Sequence, residues 1–400
     1  MDIDRHEIKV PEASKRHKDF EFVDHSKYSD QLRIIDEFWD TLSRQEEPIV
    51  TPSGIQVNKN SSRYQKFQVE TGGTSGDPKR IRRTLESWVS SIQIIMKSIT
   101  LGSTCYGVLG DLSHSLALYA TIEAAVTGKT CVTVVGRSPR EQAKILQTEK
   151  VDVLYATPTQ IRLLSKVNAQ IPTLQTVLIG GGRLDVETYR SISQLFPEAS
   201  IFQFYGASET SFISIAGPDD DPASVGAAFP SVEIEVRNMN EQKIGEIWVK
   251  SPFLFESYTL GNSNDTQSEN GWMTVGDLGR MSDDGLLYVI GRKSRSFKIS
   301  DKIFYPEDLE LQLLRNPEIV SVAVFPSDDL LRGVRVCCAV CSDTLSPSKL
   351  LPHLRTIKKS GVPISKWKVF SSHKWPSLPS GKANYKKLRH METNDTWPRL

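Results

Sequence analysis

A chain of 400 residues exceeds the roughly 250–300 at which single hydrophobic cores stop growing, so more than one domain is expected. At 38% hydrophobic, 24% charged and net charge +1, the composition is that of a globular protein and gives no argument for a nucleic-acid or membrane-surface partner. No apolar run approaches the ~18 residues of a bilayer span, and the charged opening MDIDRHEIKVPEASKRHKDF lacks an apolar core, so neither a membrane span nor a signal peptide is expected and the expected compartment is cytoplasmic.

The first sixty residues give one helical signal, SDQLRIIDEFWDTLS, with Leu32, Ile35, Phe38 and Leu42 at helical spacing, then extended chain and turn in PIVTPSGIQVNKN. From residue 104 the pattern alternates. TCYGVLG reads as a strand, HSLALYATIEAAVTG as a helix stopped by Gly128, TCVTVVG as a buried strand, and SPREQAKILQTEK as a helix opened by a capping box from Ser138 to Glu141. VDVLYA, TPTQIRLLSKVN, LQTVLIGGG, LDVETYRSISQLF and IFQFYG continue the alternation. Strands of unbroken Val, Ile and Leu between helices predict a largely parallel sheet covered on both faces. Ligands on such sheets gather at the carboxyl ends of the strands, here the loops after Gly110, Ile179 and Tyr205. Beyond residue 225 the period becomes two, and VEIEVRN, KIGEIWVKS and GLLYVIGR alternate like half-exposed antiparallel strands. After the basic stretch GRKSRSFK comes a helix begun at Pro306, strands IVSVAVFPS and VRVCCAVCS, and the helix SPSKLLPHLRTIKK. The expected architecture is α/β. Residues 1–293 form a large N-terminal domain with a mostly parallel sheet and an antiparallel β subdomain, and residues 294–400 a small α+β C-terminal domain.

Four stretches carry chemistry. In TGGTSGDPK, residues 71–79, Gly72, Gly73 and Gly76 let the backbone approach a ligand, Thr71, Thr74 and Ser75 offer hydroxyls, and Lys79 adds a charge. These are the makings of a polyphosphate grip; a surface turn is the plainer reading. A Walker P-loop is excluded, because Asp77 and Pro78 separate Gly76 from Lys79. Tyr205-Gly206-Ala207-Ser208-Glu209-Thr210 follows a predicted strand, where Glu209 is a natural Mg²⁺ ligand beside substrate phosphate and a helix N-cap by Ser208 is the alternative. In GWMTVGDLGRMSDDGLLYVIGRK, Asp277 sits in a turn where a carboxylate can accept both ribose hydroxyls, and Arg292 can donate to the same sugar or to an α-phosphate. An ordinary turn aspartate and a solvated arginine are the alternatives. In PSLPSGKANYKKL, Lys382 follows a turn that presents its ammonium, unless it is simply a solubilising surface lysine. Cys338-x-x-Cys341 has redox or half-zinc-site spacing, but no second pair accompanies it, and VRVCCAVCS reads as a buried strand.

Over residues 66–388 these stretches, in this order, resemble the signatures of the adenylate-forming superfamily of acyl-CoA synthetases, adenylation domains and luciferases. The resemblance implies ATP and Mg²⁺ as cofactors and a C-terminal domain that rotates between half-reactions. It places the Tyr205 ring against adenine, with Gly206 and Ser208 in the same cofactor-binding motif, Glu209 on magnesium, Asp277 on ribose, Lys382 between carboxylate and phosphate, and the 71–79 loop on the departing pyrophosphate. It makes Gly180 and Gly181 a wall of the carboxylate pocket, with Gly182 in place of the usual alanine leaving more room. His114 falls where amino-acid-activating members carry an aspartate that pairs with the α-ammonium; a histidine cannot supply that fixed anion, so a carboxylic acid without an α-amino group is expected. The alternative for His114 is a packed histidine at a helix start.

This sequence departs from the family pattern at Ser75, Ser208, Val275, Ser294 and Tyr385, the last in place of an arginine, and the region before the loop is shorter than usual. Asp301 replaces a glycine that lines the family's pantetheine entry, which stands against ordinary transfer to CoA. The implied activity is ATP-dependent activation of a carboxylic acid through an acyl- or aryl-adenylate with pyrophosphate release, then thioester formation with CoA. Two alternatives stand beside it: loading of the phosphopantetheine of an acyl carrier protein that meets the basic tail, and a non-catalytic nucleotide-binding protein of the same fold.

Overall fold

A computed structural model describes residues 16–59, 65–72, 78–167, 169–299, 302–329, 333–359, 361–362, 364–378, 382–394 and 397. The main sheet has eight strands in the order Glu21–Asp24, Thr130–Thr133, Cys105–Val108, Val153–Ala156, Thr176–Ile179, Ser200–Ala207, Ser211–Ala216 and Ala227–Ala228. The first six run parallel and the last two add antiparallel. Helices Ser115–Thr127, Pro139–Thr148, Pro158–Ser165 and Val186–Leu195 make the crossovers. The Ser115–Thr127 helix is apolar nearly all round and buried from Ala117 to Val126, and it ends on Gly128 in the left-handed region at φ 69°. From Cys105–Val108 the chain steps one way to Thr130–Thr133 and then back across to Val153–Ala156. That reversal opens a crevice at the carboxyl ends of the strands ending at Val108 and Ala156.

A second sheet pairs Ser257–Leu260, Pro78–Thr84, Lys66–Gly72, Glu47–Thr51 and Gly54–Asn58. Lys66–Gly72 and Pro78–Thr84 form a hairpin in which Thr71 faces Lys79 and Gly72 faces Pro78. The glycine-rich stretch 73–77 joins them and lies outside the described residues. A third, antiparallel sheet carries Gln267–Glu269, Trp272–Thr274, Gly245–Lys250, Asp277–Met281 and Leu287–Arg292, with Glu233–Arg237 on Gly245–Lys250. Beyond residue 297, Ser321–Asp329, Gly333–Cys341 and Ile364–Phe370 make a three-stranded sheet whose apolar residues pack with the Pro306–Leu314, Pro347–Lys359 and Tyr385–Asn394 helices in clusters of their own.

Several expectations change. Leu32 is 41% exposed, and Ile34, Ile35, Phe38, Trp39 and Leu42 form the inward face of the Gln31–Ser43 helix instead. KIGEIWVKS is not half-exposed: Gly245–Lys250 is buried through Val249 because strands pair with it on both sides and each face is covered. Residues 207–211 are not a helix start but the turn between antiparallel strands Ser200–Ala207 and Ser211–Ala216. A further helix, Leu85–Ser98, precedes the alternating region; Thr84 caps it, and Leu85, Trp88, Val89, Ile92 and Ile95 repeat at its period. Cys338 and Cys341 are buried and free, burial raises both thiols, and no metal-binding cluster of three His, Cys, Asp or Glu occurs among the described residues.

Candidate active site

The crevice holds two adjoining chambers. One, of about 390 Å³, is lined by Lys79, Gly181, Tyr205, Gly206, Ser208, Glu209, Asp277, Arg292 and Lys382 among others. These residues come from three sheets and the C-terminal segment. The second, of about 210 Å³, is lined by His114 and a set of aromatic rings. Gly181, Gly206, Ser208 and Lys382 border both chambers and so mark the opening between them.

Tyr205 ends the parallel part of the main sheet, and its hydroxyl donates to Asp277 Oδ2 at 2.8 Å. Arg292 Nε lies 3.0 Å from Oδ1 of the same carboxylate, because Asp277 and Arg292 are register partners on neighbouring strands. The Asp277 anion raises the Arg292 pKa, while burial and that same anion hold the Tyr205 phenol well above its usual range. Asp277 is therefore a fixed acceptor, oriented from both sides. Gly206 is dictated by space, since a Cβ there would lie 2.0 Å from the Ser211 carbonyl oxygen.

The Glu209 turn is clamped by residues that the motif reading missed. Tyr258 donates its hydroxyl to Glu209 Oε1 at 2.7 Å and contacts Thr266 Oγ1 at 2.9 Å. Phe255 N–H donates to the Glu209 carbonyl at 2.7 Å. Arg83, fully buried, donates to the Ser208 carbonyl at 2.5 Å and to the Phe253 carbonyl, and its guanidinium lies 5.6 Å from the Trp88 ring. Burial lowers the Arg83 pKa to about 10 against the pull of Glu209. Ser208 Oγ meets Ser115 Oγ at 2.9 Å, tying the turn to the start of the Ser115–Thr127 helix.

Lys382 keeps accessible surface because the cleft is open, yet cavity walls crowd its ammonium. Loss of hydration and then Arg292 lower its pKa, with Asp277 and Glu209 opposing. Tyr385, where the family pattern has an arginine, donates to Glu310 Oε1 at 2.9 Å and carries the Arg295 guanidinium 4.3 Å over its ring. Arg295 lines the larger chamber, so a cation stands near that position after all.

Of the remaining expected residues, Gly181 has φ 82° and borders both chambers, and Gly180 lies under the Phe204 ring, where a Cβ would come within 2.2 Å. Gly182 borders the larger chamber rather than the apolar one, so the space of its missing methyl does not enlarge the apolar one. Thr71 and Gly72 end a strand beside Lys79 and Pro78. Gly73, Thr74, Ser75 and Gly76, and likewise Asp301, lie outside the described residues.

A Mg²⁺ ion fits the donor set at Glu209: one carboxylate with an oxygen not taken by Tyr258, hydroxyls of Ser263 and Thr266 on the same cavity wall, and room for phosphate oxygens.

The fold is α/β with a crevice at the carboxyl ends of the parallel strands, and comparison narrows the class. The AMP-binding enzyme family model matches residues 69–259, just under half of the chain. The chain is 30% identical over 263 residues to the uncharacterized acyl-CoA ligase YhfT of Bacillus subtilis, covering 64% of this chain and 54% of that protein. It is 32% identical over 242 residues to the putative long chain fatty acid-CoA ligase VraA of Staphylococcus epidermidis, covering 60% of this chain and 52% of VraA. Its fold matches that of o-succinylbenzoate coenzyme A synthetase (MenE) from Bacillus subtilis, solved in complex with AMP, at a TM-score of 0.70 and 21% identity over 95% of this chain and 79% of MenE. The chain spans about half the length of the curated relatives it matches.

Proposed function

We propose that this chain activates a carboxylic acid lacking an α-amino group with ATP, forming an acyl-adenylate, and passes the acyl group to the thiol of CoA. The observation that carries this reading is the common position of Lys382, Glu209, Asp277 and Arg292 around one chamber that opens into an apolar one through Lys382 and Gly181. The larger chamber takes the nucleotide, with ribose hydroxyls donating to Asp277 and adenine against Tyr205. The smaller takes the acyl group, so that the carboxylate emerges beside Lys382.

A carboxylate resists thiolate attack because it is already anionic. Its oxygen attacks the α-phosphorus, the bond to the bridging oxygen breaks, and pyrophosphate leaves. Negative charge gathers at the α-phosphate in that transition state, and the Lys382 ammonium with Arg292 offsets it. Mg²⁺ held at Glu209 would neutralise charge on the phosphates when bound. The thiol then adds to the mixed-anhydride carbonyl and AMP departs. In this account residues 1–293 are the adenylating domain, residues 294–400 rotate about Lys293-Ser294, and the rotation withdraws Lys382 for the second step. The names of the relatives as CoA ligases support CoA as the acceptor.

Acid-dependent release of pyrophosphate from ATP tests the first step, and comparison of CoA with a holo carrier protein tests the acceptor. Pyrophosphate release with no acid requirement, or none with any acid, would contradict the reading.

A further inference from the structure

We propose that the smaller chamber is a site for a single-ring aromatic carboxylic acid, which would make an aryl acid the substrate; the substrate part of this inference rests on the adenylation reading above. The first support is size. A cavity of roughly 150 Å³ accepts benzene, so the chamber, at about 210 Å³, takes one ring, its carboxylate and a small substituent. The methylenes of a long-chain acid would extend beyond that volume.

The second support is the wall. Trp88, Tyr119, Tyr155, Phe204 and Phe212 line the chamber. Their rings meet in succession: Trp88 and Tyr119 at 5.2 Å, Tyr119 and Phe212 at 5.3 Å, Phe204 and Phe212 at 4.7 Å, Tyr119 and Tyr155 at 6.1 Å. Tilted and edge-on contacts at such spacings are the geometry in which aromatic rings attract one another, and a substrate ring extends the same stack.

The third support is that the wall cannot retreat. Tyr119 is held by Ser91 at 2.9 Å, and Tyr155 donates to the buried carboxyl of Glu123, which also accepts from Tyr106 and Thr100 at 2.9 Å each. Trp88 is backed by the Arg83 guanidinium, and Phe204 is seated over Gly180. Deepening the chamber for a longer acid would require breaking hydrogen bonds buried in the core, which is costly because the freed groups find no water. At the mouth, Lys382 receives the carboxylate, and His114 and Gln160 provide polar edges for a ring substituent.

The test uses the full chain. Exchange of pyrophosphate into ATP is measured with benzoic, hydroxybenzoic, octanoic and hexadecanoic acids, and calorimetry follows binding of benzoate and of decanoate. A kcat/KM for a benzoic acid at least tenfold above that for hexadecanoic acid supports the proposal. Tyr155→Ala, by removing one ring of the wall, should shift the preference toward longer acids at least tenfold, and an unchanged preference in a folded variant counts against the proposal. Equal or faster exchange with hexadecanoic acid overturns the proposal and leaves the adenylation reading intact. Benzoate binding without exchange by any acid supports the aryl site while the adenylation reading fails. Absence of benzoate binding overturns the site whatever Tyr155→Ala does.

Discussion

Tyr205 and Asp277, 72 residues apart in the chain, share a hydrogen bond of 2.8 Å that joins the main sheet to the third sheet. Arg292 holds the other oxygen of the same carboxylate at 3.0 Å. Each oxygen keeps one unused lone pair, so the aspartate, which lines the chamber, can accept two further hydrogen bonds. Asp277→Asn removes the anion and one acceptor. Hydrogen bonds to a charged group contribute about 1.5–3 kcal/mol each, so ATP affinity should fall by about tenfold or more. Calorimetric titration with ATP checks this; unchanged affinity would remove Asp277 from the nucleotide site.

Tyr258 acts on Glu209 through one hydroxyl. Tyr258→Phe keeps the ring on Phe255, whose centroid is 4.9 Å away, and deletes the hydroxyl that donates to Glu209 and meets Thr266 Oγ1. A partner that orients a metal-binding carboxylate is worth about 10–100-fold in metal affinity. The Mg²⁺ concentration for half-maximal pyrophosphate release should therefore rise by about tenfold, with the melting temperature little changed.

The lowered pKa of Lys382 gives a pH dependence with a definite sign. Its working form is the protonated one, so adenylation should decline on the alkaline side at a pH below that of an ordinary lysine. Lys382→Arg, always charged, should move that limb upward even if the maximal rate falls. The pH profile of kcat/KM for the acid measures it.

Glu123 gives a second dependence, on stability. Burial pushes its carboxyl up to about 7 despite three hydroxyl donors. The folded state thus holds the proton more tightly than the unfolded chain. That contribution is complete below the unfolded pKa near 4.5 and is lost as pH rises through about 7. Relative to Glu123→Gln, the native chain should lose stability between about pH 5 and 8, by at most about 3 kcal/mol. Denaturant unfolding at several pH values gives the difference, and parallel curves for the two proteins would refute it.

What could be read in advance follows from how each feature is encoded. The alternating strands and helices from Cys105 to Ala207 were legible because short unbroken apolar runs alternate with longer helix-forming stretches, and Ser138, Glu141 and Gly128 punctuate them. Glu209, Asp277 and Lys382 were legible because each sits in a short contiguous motif. Tyr258, Arg83 and Glu123 were not, since each acts on a partner far along the chain and no local spacing announces it. A charged residue inside the apolar run ALYATIEAAVTG, and an arginine at an inward position of RIRRT, are the only traces they leave. The Ser208–Glu209 segment carried the chemistry of a helix cap, and only the pairing of Ser200–Ala207 with Ser211–Ala216 decided for a strand turn.

The most direct test of the account is acid-dependent exchange of labelled pyrophosphate into ATP, comparing the native chain with Lys382→Ala. We predict a loss of roughly 10²–10³-fold in the variant, the magnitude of removing one preorganised group from a charged transition state, with ATP affinity nearly unchanged. Exchange at the native rate in Lys382→Ala would contradict the account.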